Sequence, residues 1–181
     1  LVPEIALTPQ ITAVLLEAFG EQVAILHSSL SPGERYDEWL RIRNGQARVI
    51  VGPRSAVFAP FSNLGLIIVD EEHENTYKQS EPDPRYDART VVLELARIFQ
   101  AAVVMGSATP SLNRQLWVRE GRFRMLRLTE RVAARPMPKI TIVDMKQEIR
   151  QGNTGIFSSN LKAALERVLA NGEQALLFIN R

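Results

Sequence analysis

The run Leu66, Ile67, Ile68, Val69, Asp70, Glu71, Glu72, His73 constrains this chain more than any other. Four branched aliphatics leave no polar face, so the run predicts a central strand covered on both sides, as in a parallel α/β sheet. Ligands of such sheets gather beyond the carboxyl ends of the strands, and here that end delivers three carboxylates and a histidine. An Asp at such an end suits holding the magnesium of a bound nucleotide, and a neighbouring carboxylate suits orienting the attacking water. Asp70 and Glu71 are therefore candidates for nucleotide hydrolysis.

The rest of the chain alternates in the way such a sheet requires. Apolar β-type runs occur at 23–26, 49–51, 66–69, 102–105, 140–143 and 175–179. Helical spacing of apolar residues predicts helices over 8–19, 32–43, 86–99, 111–119 and 160–170, with Ser31 and Ser159 as N-caps. Strands alternating with helices predict parallel pairing through crossover helices. Both periods break between Ala133 and Pro138, where prolines favour extended backbone, which places a domain boundary there. The segment beyond it is a strand, a polar loop, one helix and one strand, too little to bury a core of its own.

Composition narrows the class. With 181 residues, 45% of them hydrophobic, the chain can bury a sizeable core and is not disordered by composition. A net charge of +2 gives no global basic field, so attraction to nucleic acid has to come from local charge. The absence of cysteine excludes disulfides and thiolate metal sites within these residues and fits a reducing compartment. No apolar run approaches the roughly 18 residues that span a bilayer, so no membrane partner is expected. Leu1 is not an initiator methionine and no charged leader follows it, which reads as a fragment without a targeting signal.

A second constellation follows the run at 102–105: Gly106, Ser107, Ala108, Thr109, Pro110, Ser111. Small hydroxylated residues at a strand end can sense a phosphate or a carboxylate through short hydrogen bonds. Thr109 or Ser111 beside Pro110 could equally cap the next helix. In a parallel sheet both strand ends lie on one edge, so the acidic cluster and Ser107, Ala108 and Thr109 are expected to touch.

These residues resemble the superfamily 2 helicases, and among them the bacterial replication-restart helicases. Asp70, Glu71, Glu72 and His73 resemble the Walker B box of that family, and Ser107, Ala108 and Thr109 resemble its motif III. The segments 1–10, 51–58, 70–79, 106–110 and 176–181 match in order, so the resemblance spans essentially the whole chain. It implies a RecA-like parallel sheet flanked by helices, with a first helicase domain over 1–135 and the start of a second over 136–181. It further implies an ATP-dependent 3'-to-5' DNA helicase of the bacterial cytoplasm that assembles a primosome at stalled forks. Its partners would be single-stranded and forked DNA, primosome proteins and single-stranded DNA-binding protein. ATP and Mg²⁺ would be the cofactors, with zinc held only by sequence beyond Arg181.

The resemblance also distributes roles. Asp70, Glu71, Glu72 and His73 map onto catalysis, with Asp70 on magnesium and His73 either linking to motif III or serving structurally. Ser107, Ala108 and Thr109 map onto coupling between nucleotide and DNA. Pro3, Glu4, Thr8 and Gln10 match motif Ia, and Gly52, Arg54 and Ser55 match motif Ib, which implies contact with DNA; for Arg54 a solvated surface charge is the competing reading. The loop 74–86 resembles the aromatic-rich loop of the family, and Tyr77 is either a base-stacking side chain or part of the core. Some relatives carry tryptophan in that loop and histidine where Asp87 stands. Seven arginines lie between Arg114 and Arg135; they are read as solvated faces around a strand core of Phe123, Met125, Leu126 and Leu128, with phosphate contact as the alternative.

Two further function classes compete with the motor. One is a module that grips DNA or fork proteins without ATP, and the other is a metallohydrolase ligating a metal through Asp70, Glu71, Glu72 and His73. Adjacent strand residues point to opposite faces, so contiguous ligands converge poorly. No Gly-x-x-x-x-Gly-Lys-Ser/Thr occurs in the sequence, and family order would place that loop upstream of Leu1. These 181 residues by themselves are thus expected to release phosphate from ATP far below about 1 s⁻¹. Steady-state phosphate release measures this, and a rate near that of an intact motor would contradict it.

Overall fold

A computed structural model describes residues 1–3, 9–130 and 136–179, and of Pro9 and Gln10 the backbone alone. The chain divides into two compact units, Leu1–Leu126 and Arg127–Arg181, each described by itself. Of the residues expected at functional positions, Glu4 and Thr8 lie outside the described residues, as does the break at 133–135.

The first unit opens with α1 (Pro9–Phe19), followed by β1 (Val23–Ile25), α2 (Pro32–Arg43) and β2 (Val49–Val51). β1 and β2 pair in parallel, Val23 opposite Val49 and Ile25 opposite Val51, with α2 as the crossover. Ala24, Ile42 and Ala47 bury the contact between helix and strands. Ser31 caps α2 as the spacing predicts. Its hydroxyl accepts the Glu34 N–H at 3.3 Å while the Glu34 carboxylate accepts the Ser31 N–H at 2.8 Å, and Pro32 takes the first helical position, where no N–H is needed.

A second crossover runs from β3 (Leu66–Val69) through a short antiparallel pair, β4 (Lys78–Gln79) and β5 (Tyr86–Asp87), into α3 (Ala88–Phe99) and β6 (Ala102–Met105). β3 and β6 pair in parallel over all four residues, Leu66 opposite Ala102 and Val69 opposite Met105. α3 starts at Ala88 rather than at Tyr86, because Tyr86 and Asp87 pair with β4 and the Asp87 carboxylate caps the helix by accepting the Arg89 N–H at 2.9 Å. Ala88 and Val92 fall one turn apart and are fully buried. With Val57, Ile67, Val69 and Tyr77 they form the main core.

β3 is covered on one face only, which corrects the expectation of two. Ile67 and Val69 are buried under α3, whereas Leu66 and Ile68 are each 52% exposed. Strand side chains alternate between faces, and Val104 of β6 extends the open side. Leu1 and Val2 bridge the two ribbons: the Leu1 nitrogen donates to the Ile68 carbonyl at 2.5 Å, the Asp70 N–H to the Leu1 carbonyl at 2.9 Å, and the Val2 N–H to the Gly52 carbonyl at 3.1 Å. Gly52 must be glycine there, since a Cβ would stand 2.9 Å from both the Leu26 carbonyl and the Ala56 Cβ. α4 (Leu112–Arg119) ends the regular structure of the unit. Residues 123–129 form no strand, so the expected strand core is corrected; Leu126 and Leu128 are exposed and no neighbouring strand pairs with them among the described residues.

The second unit holds α5 (Met145–Arg150), which the sequence reading missed, and α6 (Ser159–Ala170). Ser158, not Ser159, is the N-cap, accepting the Leu161 N–H at 3.1 Å. The Glu148 carboxylate gathers the intervening loop, accepting from the Asn153 amide at 2.6 Å and the Ser159 N–H and hydroxyl at 2.8 Å. The strands expected at 140–143 and 175–179 do not form among the described residues. A strand needs a partner for its backbone groups, and Ile142, Leu176 and Phe178 stand exposed.

Replacing Ser31 removes one half of a reciprocal cap. Ser31→Ala is expected to destabilise the chain by about 1 kcal/mol, read as a lower urea midpoint at unchanged slope; an unchanged midpoint would contradict the cap.

Candidate functional site

The parallel register of β3 and β6 carries both motifs to one edge. The ladder continues past the strands, the Gly106 N–H donating to the Val69 carbonyl at 2.8 Å and the Glu72 N–H to the Gly106 carbonyl at 2.9 Å. The acidic segment and the Ser-Ala-Thr turn are therefore joined through backbone before any side chain contributes.

The chain reverses at Glu71, whose φ of 46° lies in the left-handed region, unusual for a residue with a side chain. Two bonds close the turn: the Asp70 carboxylate accepts the Glu71 N–H at 3.0 Å, and the Glu71 carbonyl accepts the Glu74 N–H at 2.9 Å. The reversal separates the four residues of the box. Asp70 stays exposed at the rim, Glu71 and His73 are half-buried beside it, and Glu72 turns inward to 2% exposure.

His73 meets the second motif directly. Its Nδ1 lies 2.8 Å from the Ser107 hydroxyl and 3.5 Å from the Glu71 carboxylate, and Ser107 Oγ accepts the Thr109 N–H at 3.1 Å. Ala108 and Thr109 are exposed on the same turn. The expected touch between the two motifs is thus made by a histidine and a serine.

Glu72 is turned inward and satisfied by α4, which corrects its place among the catalytic candidates. Its oxygens accept the Ser111 N–H at 2.7 Å and the Ser111 hydroxyl at 3.2 Å, and Arg114 Nε lies 3.7 Å away. Ser111 occupies the N-cap position of α4 but makes no side-chain cap bond; its hydroxyl donates to Glu72 instead. Arg114 rests over Trp117 at 4.1 Å; burial pulls its pKa down against the opposing charge of Glu72. It is a built part of the site rather than a solvated arginine.

Tyr77 is also corrected: it is fully buried in the main core and offers no ring to a base. Its hydroxyl donates to the Asp70 carbonyl at 2.6 Å, and burial pushes the phenol pKa up, with Asp70 adding to the shift. Pro3 is buried as well, which removes it as a contact surface. Gln10 lies on α1, Ser55 is exposed on the turn after β2, and Arg54 is partly exposed with its Nη1 near the carbonyls of Thr76 and Lys78, at 3.4 and 3.3 Å. Sequence reasoning missed Arg89 and the role of Asp87. Asp87 as an N-cap directly before an apolar helix was the signal available.

The donor set bears on which ions could be held. Among the described residues no group of three His, Asp or Glu side chains is placed to hold a metal. The divergence of Asp70 and Glu72 across the turn is the reason. One exposed carboxylate at a strand end instead fits magnesium that takes its remaining ligands from phosphate and water. Glu71 Oε2 is buried, with His73 Nδ1 3.5 Å away and no hydrogen bond of its own.

Residues 1–116 match the DEAD/DEAH box helicase family model. The chain is 50% identical over 181 residues to the "Replication restart protein PriA" of Bacillus subtilis, all of this chain aligning with 22% of that protein. Proteins of the same name from a Synechocystis species and Chlamydia pneumoniae are 47% and 44% identical, again over the full chain and 22% and 24% of their lengths. The chain thus spans about a quarter or less of these relatives. No helix among the described residues is long and apolar enough to cross a membrane.

A core role and a base-stacking role for Tyr77 separate experimentally. Tyr77→Ala is expected to destabilise the fold by about 3 to 5 kcal/mol, read by urea unfolding. A loss of roughly 1 to 3 kcal/mol in single-strand affinity with stability untouched would contradict the buried placement.

Proposed function

This chain belongs to the DEAD/DEAH box helicase family, and from that premise we propose that it is the motor segment of a longer, ATP-driven DNA helicase that restarts replication. The observation that carries the reading is the joining of the acidic turn to the Ser-Ala-Thr turn through the 2.8 Å contact of His73 with Ser107. The fold is RecA-like. Residues 1–135 are assigned to its first helicase domain, and 136–181 to the start of a second.

Bound Mg²⁺ and ATP would supply the phosphoanhydride to be cleaved and the charge that neutralises it, with Asp70 holding the ion at the rim. Glu71, half-buried next to Asp70 on the turn, orients the attacking water and draws its proton. His73 stands 3.5 Å from Glu71 and 2.8 Å from Ser107, so a change at the nucleotide reaches the Ser107–Thr109 turn through the imidazole. Glu72 anchors the whole turn to α4.

Ser55 and the surface around Arg54 are assigned to the DNA backbone, together with Gln10, Glu4 and Thr8. Movement along the strand in the 3'-to-5' direction, a primosome and single-stranded DNA-binding protein as partners, zinc held elsewhere in the longer protein, and a bacterial cytoplasmic location complete the proposal. The 47% and 44% likeness to proteins named for replication restart supports it.

In the full-length protein, Glu71→Gln is expected to lower DNA-stimulated ATP turnover by about 100-fold or more with nucleotide affinity within about threefold. Coupled phosphate release and nucleotide titration measure the two. Turnover retained at the parental rate would contradict the role of Glu71.

A further inference from the structure

We propose that Arg89 is a positioning residue for hydrolysis, holding the acidic turn in place through two backbone carbonyls and itself held by Asp87. Arg89 sits in the first turn of α3 and is 9% exposed, yet its guanidinium contacts three separate positions of the chain. Nη1 donates to the Glu72 carbonyl at 2.6 Å and lies 3.5 Å from the Glu74 carbonyl. Nε and Nη2 donate to the two Asp87 oxygens at 2.8 and 2.7 Å, a planar fork on a planar carboxylate.

The two carbonyls bracket His73, and the first belongs to the residue after Glu71, the two residues to which catalysis and coupling are assigned. A left-handed residue persists only where its surroundings over-determine it, and Glu71 is such a residue. The Asp70 and Glu74 bonds fix the turn from within; the Tyr77 hydroxyl holds its start at the Asp70 carbonyl, and Arg89 grips the backbone beyond Glu71 at the Glu72 carbonyl. Packing alone does not account for it, because a buried guanidinium is costly to desolvate and an aliphatic chain would fill the space. Asp87 offsets that cost: its carboxylate raises the Arg89 pKa, and although burial pushes the Asp87 carboxyl up, the Arg89 bonds outweigh it and hold it below the usual range.

Lysine in place of Arg89 keeps the charge but loses the fork. In the full-length protein, Arg89→Lys is expected to lower ATP turnover about tenfold or more with KM for ATP within about twofold. Turnover is counted per nucleotide-binding site, titrated with a fluorescent ATP analogue, so unfolded molecules do not contribute. Asp87→Asn keeps an acceptor and loses the charge; it is expected to fall between, and it carries the test if Arg89→Lys does not fold. Parental turnover per site, or a rise in KM that accounts for the whole loss, would overturn the assignment. The proposal rests on the hydrolase reading: a parent protein with no turnover sinks both, whereas an active parent with unaffected variants sinks this one alone.

Discussion

The parallel register of β3 with β6 is the constraint on which the rest depends. It sets Val69 opposite Met105, and two further backbone bonds carry the pairing into the loops, as far as Glu72 and Gly106. A shift of one residue would turn Ile67 and Val69 out of the core and move His73 away from Ser107. The same alternation that buries Ile67 and Val69 under α3 therefore decides whether the acidic turn and the hydroxyl turn meet.

Charge is arranged around that edge in two layers. Asp70 lies outermost, exposed at the rim and open to a cation. Beneath it buried Glu72 and Arg89, with partly buried Arg114 and Asp87, form a layer in which every carboxylate has a partner. Such layers add little net stability over apolar packing, but removing one member leaves its partner's charge buried and uncompensated. Their effect is to fix geometry, and here they fix the backbone of a strained turn to two helices, α3 through Arg89 and α4 through Ser111.

Much of this was legible in the residues. The strands at β2, β3 and β6, helix α2 with its cap, and the meeting of the two motifs followed from apolar runs, Ser31 before Pro32, and the geometry of parallel sheets. The fates of Glu72 and Tyr77 did not. Three consecutive carboxylates look alike in sequence, and only the left-handed turn at Glu71 sends one inward and leaves another at the rim. Tyr77 sits in a polar stretch, yet a short 3₁₀ turn at Asn75–Tyr77 folds it back beneath β3. The apolar segments at 140–143 and 175–179 read as strands because periodicity reports a preference for pairing and not the presence of a partner.

The contact between Glu72 and Ser111 exists only if the two strand ends share an edge, which makes it the most direct measure of the whole account. A double-mutant cycle on folding stability with Glu72→Ala and Ser111→Ala isolates the part of their coupling carried by the Ser111 hydroxyl, since Ala at 72 removes the acceptor and Ala at 111 removes that donor while keeping its backbone N–H. The account predicts a coupling free energy of about 1 kcal/mol or more, as befits a buried hydrogen bond to a charged group. Effects that add to within about 0.3 kcal/mol would place the two turns apart and contradict it.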